Sequence, residues 1–152
     1  MTMMIKSSEE RNDSKEDIVK SIGPGVRKVC RDHDIIAAYL YGSFVREEQH
    51  SGSDIDIAIY FKDYSLKKLL ELSRRIQEET GMYRLDIRAL NVASPRFQFR
   101  VIQNGDILYG SSPEERADIE VNIDWSYHDV KPLLQEHWEL RRKKGSIGTD
   151  PP

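Results

Sequence analysis

Asp54 and Asp56 stand two residues apart, after the turn Ser51-Gly52-Ser53 and ahead of the apolar run Ile57-Ala58-Ile59-Tyr60-Phe61. Side chains two apart share one face of a strand, so the two carboxylates converge while Ile55, Ile57 and Ile59 point the other way. Paired carboxylates at a strand mouth repel each other and lose hydration, and a divalent cation between them relieves both costs. Magnesium is the natural ion, because it prefers hard oxygen ligands and substrate phosphates. A second apolar run, Ile35 to Tyr41, ends at Gly42-Ser43. There the glycine permits close backbone approach, and the following turn offers a hydroxyl and free N–H groups to phosphate oxygens. The chemistry such residues suit is metal-dependent transfer of a nucleotidyl group.

An isolated Asp-x-Asp carries little information. With 13 aspartates in 152 residues, about one such pair arises by chance. The chain has a second, Asp32-His33-Asp34, whose polar surroundings read as a solvated helix end or turn. Context separates Asp54 and Asp56 from it. Holding two metal ions about 3.5 to 4 Å apart for an in-line displacement calls for a third carboxylate. Asp86 is the candidate, on the polar side of the alternating run Tyr83 to Leu90. A surface aspartate paired with Arg84 or Arg88 is the competing reading.

Gly42-Ser43, ten intervening residues, Asp54-Ile55-Asp56 and a distant strand aspartate together resemble the nucleotidyltransferase superfamily that includes DNA polymerase β. The small size resembles its minimal nucleotidyltransferases, often antitoxin partners of helical HEPN-domain ribonuclease toxins, over about Ile18 to Lys144. The resemblance implies an α/β (α+β) fold, a mixed sheet flanked by helices with further helices at the C-terminus. It also implies Asp54, Asp56 and Asp86 as catalytic metal ligands, Gly42 and Ser43 on the triphosphate of ATP, and Arg46 near the phosphates. The implied reaction moves AMP from ATP, with Mg2+, to a tyrosine of a partner HEPN toxin. Glu47 stands where many relatives carry glycine, and Glu47 and Glu48 bring negative charge close to the place of a triphosphate.

Whatever the family, nucleotidyl transfer requires positioning a triphosphate, neutralising its charge and aligning a hydroxyl. Asp54 and Asp56 would grip the metal carrying the β- and γ-phosphates. Asp86 would share a second metal or accept a proton. Other chemistries find less support. Cys30 is the only cysteine and, with Val26 and Val29 beside it, reads as a buried helical position. His33, His50, His128 and His137 lack zinc-site spacing. Only His50 lies in the loop between Gly42-Ser43 and Asp54, where exposure to solvent is the plainer reading.

Those residues need elements to place them. Residues 1–14, polar from Ser7 to Ser14, read as a flexible tail, followed by a nucleotidyltransferase domain at 15–144 and a second flexible tail at 145–152. A helix is expected from Lys15, interrupted at Pro24-Gly25, with a second helix from Pro24 to Asp32 before the strand Ile35 to Tyr41. Ser65 to Thr80 reads as an amphipathic helix with Leu66, Leu69, Leu70 and Ile76 on its buried face and Gly81 as its stop. It would carry the chain from the Asp54 strand to the Asp86 strand, the crossover that parallel neighbours need. Pro95 to Gln103 reads as helix, Asp106 to Tyr109 as strand, and Ser112-Pro113-Glu114-Glu115 as a capped helix start. Pro132 is expected to divide the C-terminal helical region in two. Within that region Ile119, Val121, Ile123 and Trp125 spread apolar surface around more than one face, which reads as a helix buried against the sheet or, alternatively, as one that keeps some surface for a partner.

Composition narrows the partners. Net charge is −3, with 32% charged and 38% hydrophobic residues, and the isoelectric point lies near 5.8. A nucleic-acid groove is not expected, and the basic run Arg141 to Lys144 complements a helix C-terminus without any ligand. No run suits a membrane span and the N-terminus lacks a signal-peptide core, so a cytoplasmic protein is expected. A non-catalytic antitoxin that neutralises its partner by binding is the principal alternative. Nucleotidylation of a small-molecule hydroxyl, as in aminoglycoside-modifying relatives, is less favoured because little chain remains for a substrate domain. Self-association is compatible with either.

Overall fold

The computed structural model describes residues 15–42 and 55–143. Among these residues, four helices cover the two faces of a four-stranded mixed sheet. In chain order these are α1 (Lys15–Arg31), β1 (Ile35–Tyr41), β2 (Ile55–Phe61), α2 (Leu66–Thr80), β3 (Leu85–Ala89), a 3-10 turn (Leu90–Val92), α3 (Pro95–Asn104), β4 (Asp106–Gly110) and α4 (Pro113–Lys143). Residues 1–14, 43–54 and 144–152, which include both expected tails, lie outside the described residues.

The strand order is β3-β2-β1-β4. β1 runs antiparallel to β2 and to β4, and β2 runs parallel to β3. α2 is the connection between those parallel neighbours. Its ends follow the sequence: Ser65 accepts the Lys68 N–H, and Gly81 closes the helix in the left-handed region at φ 71°. Its buried stripe is centred on Leu72 and Ile76, with Leu69 packed beside the core. Leu66 and Leu70, expected inside, are exposed.

Period-2 alternation divides the apolar residues between two cores. On one face, Ile35, Leu40, Ile55, Ile57 and Ile59 meet Ile18, Ile22, Val26 and Val29 of α1 and Leu72 and Ile76 of α2. On the other, Ala37, Tyr39 and Ala58 meet Leu90, Val101 of α3 and Ile119 of α4. The Tyr39 hydroxyl donates to Glu120 at 2.6 Å, and Arg116 holds the same carboxylate at 2.9 Å, which anchors α4. Asn91 extends the ladder past the end of β3, accepting the Phe61 N–H at 2.8 Å and donating to the Phe61 carbonyl at 2.9 Å.

Two expected breaks do not occur. α1 is continuous through Pro24, and α4 continues through Pro132 for 31 residues. An interior proline removes one helical hydrogen bond and crowds the carbonyl four residues back, at a cost of about 3 kcal/mol. Both prolines, and Lys20 and His128 four residues before them, are on the exposed side, where water reaches the freed carbonyls. In α1, fully buried Ile22 and Val26 flank the proline. Burying such side chains is worth about 1.5 to 3 kcal/mol each, enough to carry the helix through. α4 starts as expected, with Ser112 accepting the Glu115 N–H at 3.1 Å. The Glu115 carboxylate accepts from the Ser111 hydroxyl at 2.5 Å.

Candidate active site

β1, β2 and β3 meet in register at one end of the sheet. Tyr41 is the partner of Asp56 across the antiparallel pair, and Asp56 is the partner of Asp86 across the parallel pair. Register partners project from the same face, so the three side chains form a row on the α3 side, with neighbouring strands about 4.8 Å apart. The isoleucines on either side of Asp56 secure this orientation, because Ile55 and Ile57 are buried in the opposite core. A one-residue slip would exchange the two sets.

Gly42 closes tightly on the row. Its φ is 88°, and a Cβ built there would lie 2.2 Å from Asp56 Oδ2 and 3.0 Å from its Cγ. The glycine is therefore required twice, by its left-handed backbone and by the carboxylate lying against it. Tyr41 is wedged edge-on against Phe97, ring centroids 5.2 Å apart. Its buried hydroxyl has no hydrogen-bond partner among the described residues. Burial raises the Tyr41 phenol above its ordinary range, and the nearby Asp56 and Asp86 carboxylates add to the rise while Arg88 opposes it. Arg88 Nε lies 3.4 Å from Asp86 Oδ2, and its guanidinium sits 5.9 Å from the centre of the Phe97 ring.

Of the six candidate residues, Gly42, Asp56 and Asp86 are brought together. Ser43, Arg46 and Asp54 lie outside the described residues, although Asp54 immediately precedes Ile55 at the start of β2. The Asp86–Arg88 pairing anticipated as a competing reading forms as well, on the same side chain that stands opposite Asp56. Tyr41 is the residue that sequence reasoning missed. At the end of an apolar run it reads as core, and only the register with Asp56 marks it. Other candidates resolve to structural roles. Cys30 is fully buried, with its thiol pushed up to about 12 by loss of solvation. Asp32 to Asp34 form a turn, and His33 and His128 each approach a carbonyl four residues back at 2.8 Å.

The donor set fits a hard divalent cation. Two carboxylates share one row with a phenol oxygen that has no partner among the described residues, and the missing Cβ of Gly42 lets the Asp56 carboxylate lie against the backbone. Magnesium favours such an all-oxygen environment. Held by Asp56 and Asp86 together with Asp54, it would neutralise phosphate charge there.

Residues 25–114 match the family model described as polymerase beta, nucleotidyltransferase. The chain belongs to this nucleotidyltransferase family. Over 93 residues, covering 60% of this chain and 93% of the relative, it is 30% identical to the Methanocaldococcus jannaschii protein named "Putative protein adenylyltransferase MJ1217". Among solved structures it is similar to a toxin–antitoxin with AMP-PNP, with a TM-score of 0.64 and 24% identity, covering 77% of this chain and 95% of that one. It is also similar to a chain from a tri-AMPylated Shewanella oneidensis HEPN toxin in complex with its MNT antitoxin, with a TM-score of 0.63 and 21% identity, covering 80% and 96%. Both likenesses bear out the α+β nucleotidyltransferase fold, and this enzyme carries the family's sheet with Asp56 and Asp86 side by side. Among the described residues no helix is long and apolar enough to cross a membrane.

Proposed function

We propose that this nucleotidyltransferase is an antitoxin that transfers AMP from ATP to a tyrosine hydroxyl of a partner HEPN toxin, with Mg2+, in the cytoplasm. The observation that carries the reading is the row Tyr41–Asp56–Asp86 closed by Gly42, which sets two carboxylates on one face at one end of the sheet. Likeness to a fold found with AMP-PNP and with an AMPylated toxin supports the choice of nucleotide and acceptor. In this reading Asp54, Asp56 and Asp86 hold the metal, Gly42 and Ser43 approach the triphosphate through backbone and hydroxyl, and Arg46 offsets its charge. Bound magnesium supplies charge neutralisation. The tyrosine oxygen attacks the α-phosphorus, the bond from that phosphorus to the bridging oxygen of pyrophosphate breaks, and the phenolic proton passes to a carboxylate or solvent. The chain's own task is to align that oxygen, phosphorus and leaving group in line.

A second reading has support in α4. Ile119 and Ile123 are buried against the domain while Val121 and Trp125 are exposed on the same helix. A helix of 31 residues is about 46 Å long, ample for holding a partner by contact alone. A binding-only antitoxin would use that surface and leave the carboxylate row idle. Intact-mass spectrometry of a HEPN partner incubated with the chain, ATP and magnesium separates the two. Transfer adds roughly 329 Da per AMP at a hydroxyl. The Asp54→Ala/Asp56→Ala variant is expected to abolish the shift while remaining folded, because relieving carboxylate repulsion does not harm the metal-free protein. A stable complex without any mass shift would favour the binding-only reading. An undiminished shift in the double variant would remove these aspartates from catalysis.

A further inference from the structure

We infer that the outer edge of β3, which no described strand covers, is the docking strand for the acceptor, which binds as an extended, acidic, hydroxyl-bearing segment adding a strand to the described sheet. The inference deepens the protein-acceptor reading above and rests on it for the identity of the segment.

β3 is an outer strand of the described sheet. The Ile55 N–H donates to the Arg84 carbonyl at 2.9 Å, and the parallel register runs from Ile55–Leu85 to Ile59–Ala89. In such a ladder alternate residues bond to one neighbour, so Asp86 and Arg88 turn their backbone groups toward β2 while those of Leu85, Ile87 and Ala89 point outward. No described strand pairs with them. Outward N–H and C=O groups of this kind are what an extended segment engages in strand addition.

The edge is also shaped for side chains. A cleft of about 450 Å³ opens along it, lined by Tyr64, Leu69, Ile87, Ala89, Val92 and Phe97 among others. Val92 is 65% exposed there. An added strand alternates its side chains between the two sheet faces. One residue then lies beside Asp86 on the α3 face, and its chain neighbours lie on the α2 face against Tyr64 and Leu69. A hydroxyl residue between two apolar ones satisfies both faces at once. Residues 81–105 contain four arginines (Arg84, Arg88, Arg96 and Arg100) and a single acidic residue, Asp86, in a chain of net charge −3. Local positive charge favours acidic flanks on the incoming segment.

The probe is an acidic heptapeptide with one tyrosine between two valines, tested against the full chain by fluorescence anisotropy, by hydrogen exchange and by AMP transfer. The amides of Ile87 and Ala89 should exchange more slowly with peptide bound. Methylating the tyrosine and both valine amides of the peptide, or the substitution Val92→Asp, should weaken binding by about tenfold, since each removes what strand addition uses. In the transfer assay these changes raise KM and leave kcat unaltered. Equal binding by the methylated peptide, or unchanged exchange at Ile87 and Ala89, overturns the inference even where AMP transfer proceeds. Binding and protection without transfer would uphold the docking strand and defeat the acceptor chemistry instead. Protection that rises with protein concentration and without peptide would identify a second copy as the occupant and overturn the assignment.

Discussion

Replacing Gly42 by alanine tests whether the carboxylate row depends on the missing Cβ. The new Cβ would stand 2.2 Å from Asp56 Oδ2 and 3.2 Å from Asp56 Cβ, where unstrained carbon contacts lie at about 3.5 to 4.0 Å. Asp56 cannot stay in place, because its own strand is fixed by Ile55 and Ile57 in the core, so the carboxylate must swing by about 1 Å or more. Two costs follow. Alanine in the left-handed region is penalised by about 1 to 2 kcal/mol, visible as a lower urea midpoint. Misplacing a reactive group by about 1 Å costs on the order of 100-fold in rate. Gly81 supplies the control, since its φ is 71° and no atom lies within 4 Å of a Cβ built there. Gly81→Ala should show the same backbone penalty with normal kcat/KM for AMP transfer. Gly42→Ala with transfer within threefold of wild type would refute the argument that Asp56 is held by this contact. Equal loss of activity in both variants would refute the claim that the effect is local.

Three further outcomes follow from side chains away from that contact. Tyr41→Phe removes a buried hydroxyl that has no partner among the described residues, so stability should hold or rise by up to about 1 kcal/mol; a fall in transfer at unchanged urea midpoint would mark the hydroxyl as serving a ligand. Glu120→Ala strands the Tyr39 hydroxyl, now bonded at 2.6 Å, and should cost about 1 to 3 kcal/mol in urea unfolding. Tyr39→Phe should cost less, because Arg116 still pairs with Glu120. Stability should fall on the alkaline side. The Cys30 thiol is raised by burial from 9.0 to about 12, so folded and unfolded chains are equally protonated below pH 9, and the unfolded chain alone loses the proton above it. Stability is complete below 9 and declines toward 12. Burial, with Glu120 adding to it, pushes the Tyr39 phenol in the same direction. Urea midpoints measured across that range should fall, and Cys30→Ala should flatten the decline.

The elements legible in the sequence were those whose signal is local and complete. Ile35–Tyr41 is a continuous apolar run and appears as β1 with those bounds, and Ser65 and Gly81 cap α2 where their side-chain and backbone preferences require. Failures arose where tertiary burial outweighed a local rule. Pro24 is a helix breaker by its own chemistry, yet the packed residues on either side keep α1 continuous through it. Leu66, Leu69 and Leu70 form an apolar cluster, but the stripe's centre is set by Leu72 and Ile76, which leaves Leu66 and Leu70 at its exposed margin. Strand periodicity alone was enough to put Asp56 on a polar face. Its alignment with Tyr41 and Asp86 belongs to strand register between segments distant in sequence, which no single stretch encodes.

Asp86 forms the arginine pair of one reading, and that pair does not preclude the metal-ligand role proposed in the other. Its contact with Arg88 is 3.4 Å long, with the aspartate side chain 39% and the arginine 59% exposed, and ion pairs of that kind contribute only about 0 to 1 kcal/mol. So weak a pairing does not commit the carboxylate. It places a cation beside a row that otherwise carries the negative charge of Asp56 and Asp86 next to a buried phenol, easing repulsion when no metal is bound. A divalent ion attracts the same carboxylate more strongly than a single solvent-screened guanidinium does. With Asp86 on such an ion, Arg88, which rests over Phe97, would be left to pair with phosphate or an acidic acceptor. Arg88→Ala should therefore leave the fold nearly unchanged, within about 1 kcal/mol by urea unfolding, while lowering AMP transfer through KM. A loss of stability above that range, with transfer intact, would show the pairing to be structural and return Asp86 to the surface.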